Sequence, residues 1–227
     1  MSYSSPMQNS TRNSSANGGG APASSHATNP IVPATARGIA TRRKLMDAAE
    51  KEFGDKGYHA ASVSSITTRA DVGQGTFYLY FHSKEEIFTT LVREIGHALR
   101  KHTARGVAKA KPRMAAERVG LEAFFEFAQQ HPGLYRIVQE AQFVDEAIFR
   151  EYYERLAQGY AEGLAEATGK GELTQGDAGV RAWAIMGIGH FIGMRDCLWA
   201  GKVPDAATVD QIMQFIGAGM APQGKKD

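Results

Sequence analysis

An all-α fold is the expectation, and three observations predict it. Apolar residues recur at three- and four-residue spacing through most of the chain. No stretch shows the two-residue alternation of a half-buried strand. Ser, Gly and Pro fall where the periodic runs begin and end. About nine helices are predicted, in an arm over 1–36, a three-helix N-terminal domain over 37–83, a larger helical domain over 84–220 and a tail over 221–227.

The arm is rich in Ser, Asn, Gly, Ala and Pro, a composition that cannot bury a core, and is expected to be flexible. From Gly38 the texture changes. Leu45, Ala49 and Phe53 lie four apart on one helical face with Lys and Glu opposite, and Gly57 stops the helix. Ser62 is placed to cap a short second helix whose Val63, Ile66 and Ala70 share a face. Asp71 and Gly73 then allow a tight turn.

A third helix is expected over Gln74 to Tyr80. Ser83 caps a fourth, with Glu86 closing a capping box and Phe81 near Ile87 as a staple. The fourth helix buries a stripe from Ile87 to Leu99. Pro112 permits the next start, and Glu117–Gln130 carries Leu121, Phe124, Phe125 and Ala128 on its apolar side. "HPG" breaks it at His131, and a short helix runs from Leu134 toward Gln142. A long amphipathic helix follows over about Asp145–Ala167, then an unusually apolar one over Ala178–Trp199 and a last one over Ala206–Ala218.

The 227 residues, 43% hydrophobic and 22% charged, are enough for a sizeable core and typical of a soluble globular chain. Cys197 is the only cysteine, so an intrachain disulfide framework is excluded and a reducing compartment suits the chain. No signal peptide or membrane-spanning run is evident, so a cytoplasmic protein without membrane partners is expected. The net charge of +2 decides little, but its distribution is uneven. Basic residues gather before Lys44 and again from Arg100 to Arg113, whereas Glu140–Glu172 leans acidic. One end of the molecule therefore suits a polyanion.

The stretch "GQGTFYLYFHSKEEIF" carries the most chemistry. On a helix, Phe77 and Phe81 face one way, onto Phe53, Val63 and Ile66. Gln74 with Tyr78, and Thr76 with Tyr80, form rows directed elsewhere, and Gly75 lets the helix approach a surface closely. Gln can pair with adenine, Thr with a base edge or thymine methyl, and phenols with phosphates. Lys84 and the first N–H groups of the fourth helix could bind a phosphate. Two helices joined by a four-residue turn thus fit a helix-turn-helix with its second helix in a major groove.

Residues 37–88 resemble the N-terminal DNA-binding domain of the tetracycline-repressor (TetR) family of bacterial regulators. The match runs through Phe53, Gly57 and Tyr58, then Ser62-Val63, Ile66, Ala70 and Val72. It continues through Gly75-Thr76-Phe77-Tyr78, Tyr80-Phe81, Ser83-Lys84, Glu86 and Phe88. The resemblance places Thr76, Tyr78, Tyr80 and Lys84 at positions that often contact DNA, and Gln74 at a variable, operator-reading one. Arg37, Arg43, Ser62 and His82 complete the expected DNA-binding set. Three residues depart from the pattern: Asp71 stands for Gly, Gly73 for a Ser cap, and Thr67 for Ala, where its hydroxyl could reach a phosphate.

The resemblance covers about a quarter of the chain. It implies a homodimer formed through the last two helices on palindromic or pseudo-palindromic double-stranded operator DNA, with a small-molecule effector in the C-terminal domain. Trp183, Met186, Phe191, Met194 and Trp199, with Gly187, Gly189 and Gly193 between them, suit a close-packed interface. An apolar cavity with a few polar handles could be lined by Phe124, Phe127, Tyr135, Phe143, Phe149, Tyr152, Met186 and His190. Arg195 or His190 would partner a charged effector. A repressor released by a hydrophobic or aromatic effector is the function these features imply, with no cofactor or metal.

Two other classes compete. An enzyme would need a nucleophile and a base, and His190 and Cys197 lie two helical turns apart, yet no orienting third group is evident. The seven histidines are scattered without metal-ligand spacing. A helical dimer that binds neither DNA nor ligand is the third possibility.

Overall fold

The computed structural model describes residues 35–222. The expected arm up to residue 34, with Arg12, and the last five residues of the tail lie outside the described residues. The chain is all-α. Nine α-helices and one π-helical segment occur among the described residues: α1 Ala36–Lys56, α2 Val63–Ala70, α3 Gln74–Tyr80, α4 Lys84–Val107, α5 Arg113–Gln130, α6 Leu134–Val144, α7 Glu146–Gly169, α8 Ala178–Gly193 and α9 Ala206–Met220, with π-helical Met194–Trp199 between the last two.

The first three helices close around a small aromatic core. Phe53 and Phe77 are fully buried, and the ring of Phe53 meets that of Phe88 edge-on at 5.1 Å. Tyr58 stacks on Phe53 at 5.8 Å and meets Phe88 at 4.9 Å, so the loop after α1 is fixed onto α4. Ser62 caps α2 through a reciprocal box with Ser65. Asp71 takes the left-handed conformation at φ 54°, which a short polar side chain tolerates. Gly73 does not need its freedom, since its φ is −71°.

The expected box at α4 is displaced by one residue. Ser83 accepts from the Glu86 N–H at 3.1 Å, but the Glu86 carboxylate turns to the backbone N–H and ring Nδ1 of His82. α4 also continues two turns past Leu99 to Val107, so much of the basic cluster from Arg100 onward is helical. The expected single helix over 178–199 divides: α8 passes at Gly193 into the π-helical segment.

α4 to α9 pack as a bundle, and its buried apolar residues form one cluster continuous with the N-terminal core. α5 packs along α4, α7 along α8, and α6 sits between α1, α4 and α7. No described helix is long and apolar enough to cross a membrane.

Candidate nucleic-acid interface and ligand cavity

Burial sorts the residues of α3. Phe77 faces the core, whereas Gln74, Gly75 and Tyr78 are exposed, with Tyr78 54% exposed. Thr76 and Tyr80 are half-buried, and Tyr80 packs against the core edge. Leu79 is also bare, one turn after Gly75, and offers an apolar contact that sequence reasoning passed over. Arg37 is exposed at the start of α1. Arg43 is exposed beside Asp47, and Ser62 is exposed while its hydroxyl caps α2.

Two expectations are corrected here. Thr67 is only 3% exposed and its hydroxyl donates to the Ser64 carbonyl at 3.0 Å, so it cannot reach a phosphate. Lys84 is folded inward rather than outward. Its Nζ donates to the carbonyls of Tyr58 at 2.8 Å and Ala61 at 3.0 Å and lies 4.2 Å from the centre of the Tyr58 ring. The ammonium ties the α1–α2 loop to α4.

A cavity of about 350 Å³ lies between α4, α5, α6, α7 and α8. Of the residues expected there, Phe124, Tyr135, Tyr152, Met186 and His190 line it. Phe149 lines an adjoining groove on α7 and α8, which shares Tyr153, Met186 and His190 with the cavity. The other three belong elsewhere. Phe127 is core, packed on His131 with ring centres 4.4 Å apart, and Phe143 is 82% exposed. Arg195 makes a two-pronged pair with Asp196 at 2.7 and 2.8 Å.

Sequence reasoning missed the cavity's charged end, Arg113, Glu117 and Tyr160, a separate cation at Arg100 that lies toward Gly96 and Tyr152, and much of the apolar wall, including Leu99, Leu121, Val138 and Leu156. The i,i+4 spacing of Arg113 and Glu117 was the available signal. Burial pushes the phenols of Tyr135, Tyr152 and Tyr153 up, the last to about 12, so all stay protonated donors. Burial lowers the pKa of His190, leaving a neutral ring between Tyr135 and Tyr153. Tyr135 Oη is buried without a hydrogen-bond partner among the described residues and rests against Gly193, where a Cβ would collide with it.

α6 has a second face, turned to the N-terminal domain. Arg136 donates to the last carbonyls of α1, Gly54 at 3.0 Å and Asp55 at 2.6 Å. Glu140 accepts from the Tyr58 N–H at 2.5 Å, and His131 Nδ1 lies 2.8 Å from Glu50. Gly54 and Gly133 meet so closely that a Cβ on Gly54 would stand 2.9 Å from the Gly133 Cα.

α8, its π-helical continuation and α9 each carry exposed apolar side chains. Val180, Trp183, Phe191, Trp199 and Phe215 are all exposed there, while Met186 and Met194 are half-buried. The buried thiol of Cys197 donates to the Phe125 carbonyl at 3.6 Å, and burial raises its pKa, which disfavours the thiolate. Among the described residues no group of three or more His, Cys, Asp or Glu side chains could hold a metal ion.

Comparison with known proteins agrees with this geometry. Residues 45–91 match the family described as bacterial regulatory proteins, tetR family. An uncharacterized HTH-type transcriptional regulator, YdgC of Bacillus subtilis (strain 168), is 43% identical over 67 residues, 30% of this chain and 34% of that one. The HTH-type transcriptional activator FasR of Mycolicibacterium smegmatis is 30% identical over 105 residues, 46% of this chain and 48% of that one. The matched part thus spans half or less of each of these two relatives. Among solved structures, the fatty acid degradation regulator FadR of Bacillus halodurans superposes with a TM-score of 0.69 at 23% identity, covering 77% of this chain and 93% of that one. Residues 45–91 thus carry the N-terminal domain of the tetR family of bacterial regulatory proteins, and the chain shares its overall fold with a solved regulator.

Proposed function

We propose that the protein is a cytoplasmic, ligand-responsive transcriptional regulator that binds a palindromic operator as a homodimer and is released from it by a small apolar or aromatic effector. The observation that carries this reading is the double role of α6: Leu134, Tyr135 and Val138 line the cavity, while Arg136 and Glu140 hold the end of α1. A molecule that fits the cavity in only one arrangement of α6 favours the matching placement of α1 and, with it, of α3. That is a population shift driven by differential affinity.

The exposed edge of α3 supports base contacts by Gln74, Thr76 and Tyr78, with Tyr80, Arg37, Arg43, Ser62 and His82 beside the backbone. The exposed apolar side chains of α8 and α9 support pairing of two copies, and a pair reads two half-sites one helical turn or a multiple apart. The names of relatives concerned with fatty acids favour an apolar effector. The test is retardation of DNA from the protein's own promoter region. A discrete complex at low salt, with two chains per half-site pair, is expected; absence of any complex rejects the reading.

A further inference from the structure

The cavity is apolar along most of its length and charged at one end. Arg113 and Glu117 lie one turn apart on α5, with side chains 12% and 1% exposed. Arg113 Nε donates to Glu117 Oε1 at 2.6 Å, and the Tyr160 hydroxyl donates to Oε2. Both carboxylate oxygens are therefore engaged. Burial, with Glu117 alongside, keeps the Tyr160 phenol protonated. The guanidinium lies on Gly163 of α7, where a Cβ would stand 2.6 Å from Nη1. Neither Nη1 nor Nη2 has an acceptor among the described residues, and Arg113 lines the cavity.

Arg100 also lines the cavity and has no carboxylate partner among the described residues. The lining thus holds two guanidinium groups, Arg113 beside Glu117 and Arg100 toward Gly96 and Tyr152, with one carboxylate, and burial leaves His190 uncharged. One positive charge is in excess in an otherwise apolar space. Tyr160 lies seven residues beyond Tyr153 on α7, about 10 Å along the helix axis, so the charged end is well separated from the Tyr153 and His190 end.

We infer that the cavity takes an amphipathic monoanion, a carboxylate head on an apolar body, and that Arg113 Nη1 and Nη2 bind the head in a two-pronged pair. Glu117 and Tyr160 are positioning residues that hold the guanidinium flat for it. This rests on the cavity being the effector site.

The test compares decanoate with decan-1-ol by titration calorimetry on the full chain at neutral pH. The wild type should bind decanoate at least ~10-fold more tightly. Arg113→Met with Glu117→Gln removes the buried pair together, leaves Arg100 in place toward Tyr152, and should bind both probes alike, at about the wild-type affinity for the alcohol. Arg113→Lys keeps a charge beside Glu117 without the planar fork and should lose most of the preference. Equal binding of the two probes by wild type, binding of neither, or full preference in either variant overturns the assignment. Operator retardation separates the two readings: decanoate preference without DNA binding removes the regulator and keeps the site, and the converse removes the site alone.

Discussion

Lys84→Met tests what the lysine does. The substitution keeps the apolar stem over Tyr58 and removes the ammonium, leaving the carbonyls of Tyr58 and Ala61 without their donor. Hydrogen bonds from a charged group contribute about 1.5–3 kcal/mol each when well buried. Lys84 is half-buried, so roughly 1 kcal/mol apiece is the appropriate scale. The contact with the Tyr58 ring adds about 0.5–1 kcal/mol. The expected loss is therefore about 2–3 kcal/mol, a large share of a domain's margin. Urea unfolding should show a lower midpoint at unchanged slope. Operator affinity, measured where the variant is fully folded, should keep its dependence on salt. An unchanged midpoint with a salt slope reduced by about one would refute the structural role and restore a phosphate contact.

Other expectations follow from α3, the α1–α6 contact and a buried carboxylate. Tyr78→Ala should weaken operator binding by ~1 kcal/mol or more, as lost contacts to DNA typically do, without altering the dimer in sedimentation; full affinity would exclude Tyr78 from the interface. Gly54→Ala gains up to about 1 kcal/mol of helix propensity but forces α1 from α6, and overpacking of backbone costs about 1–3 kcal/mol. A lower melting temperature and altered effector response are expected, and a raised melting temperature would show that the contact is slack. Burial pushes Glu52 up, but hydrogen bonds from Lys56, Ser65 and Arg69 outweigh it and bring its pKa to about 2. A carboxylate depressed in the folded state stabilises above its unfolded pKa and loses that contribution as pH falls from about 4.5 toward 2. Glu52→Gln should therefore cost up to about 3 kcal/mol at neutral pH and much less near pH 2, and an equal cost at both would refute the linkage.

The parts legible in the sequence are those governed by local period. The division of α3 into Phe77 behind and Gln74 and Tyr78 in front needed only helical spacing, as did the caps at Ser62 and Ser83. The inward placement of Lys84 is not legible in the sequence because its partners are backbone carbonyls 23 and 26 residues away, and carbonyls carry no side-chain signature. Thr67 differs in that its partner is local, but only burial against α1 decides that its hydroxyl turns back to Ser64. The cavity draws on five helices, so each lining residue looks like ordinary core until the bundle is assembled. Arg113 and Glu117 were visible as a pair, yet spacing does not distinguish a solvated pair from a buried one. Phe143 illustrates the reverse: an aromatic at the end of α6 implied burial, and it is bare.

α6 is a partition with a tenant on each side. Its inward residues line the cavity, and its outward residues grip α1, but the guanidinium of the charged pole does not belong to it. In a regulator built this way, the identity of the signal is read at one pole and its presence is reported from the other. On the function proposed above, descendants of such a chain would exchange one effector for another through changes near Arg113 while the α6–α1 contact stays intact. Drift at Gly54, Gly133 or Arg136 does the opposite, leaving a receptor that still recognises its molecule but has nobody to tell.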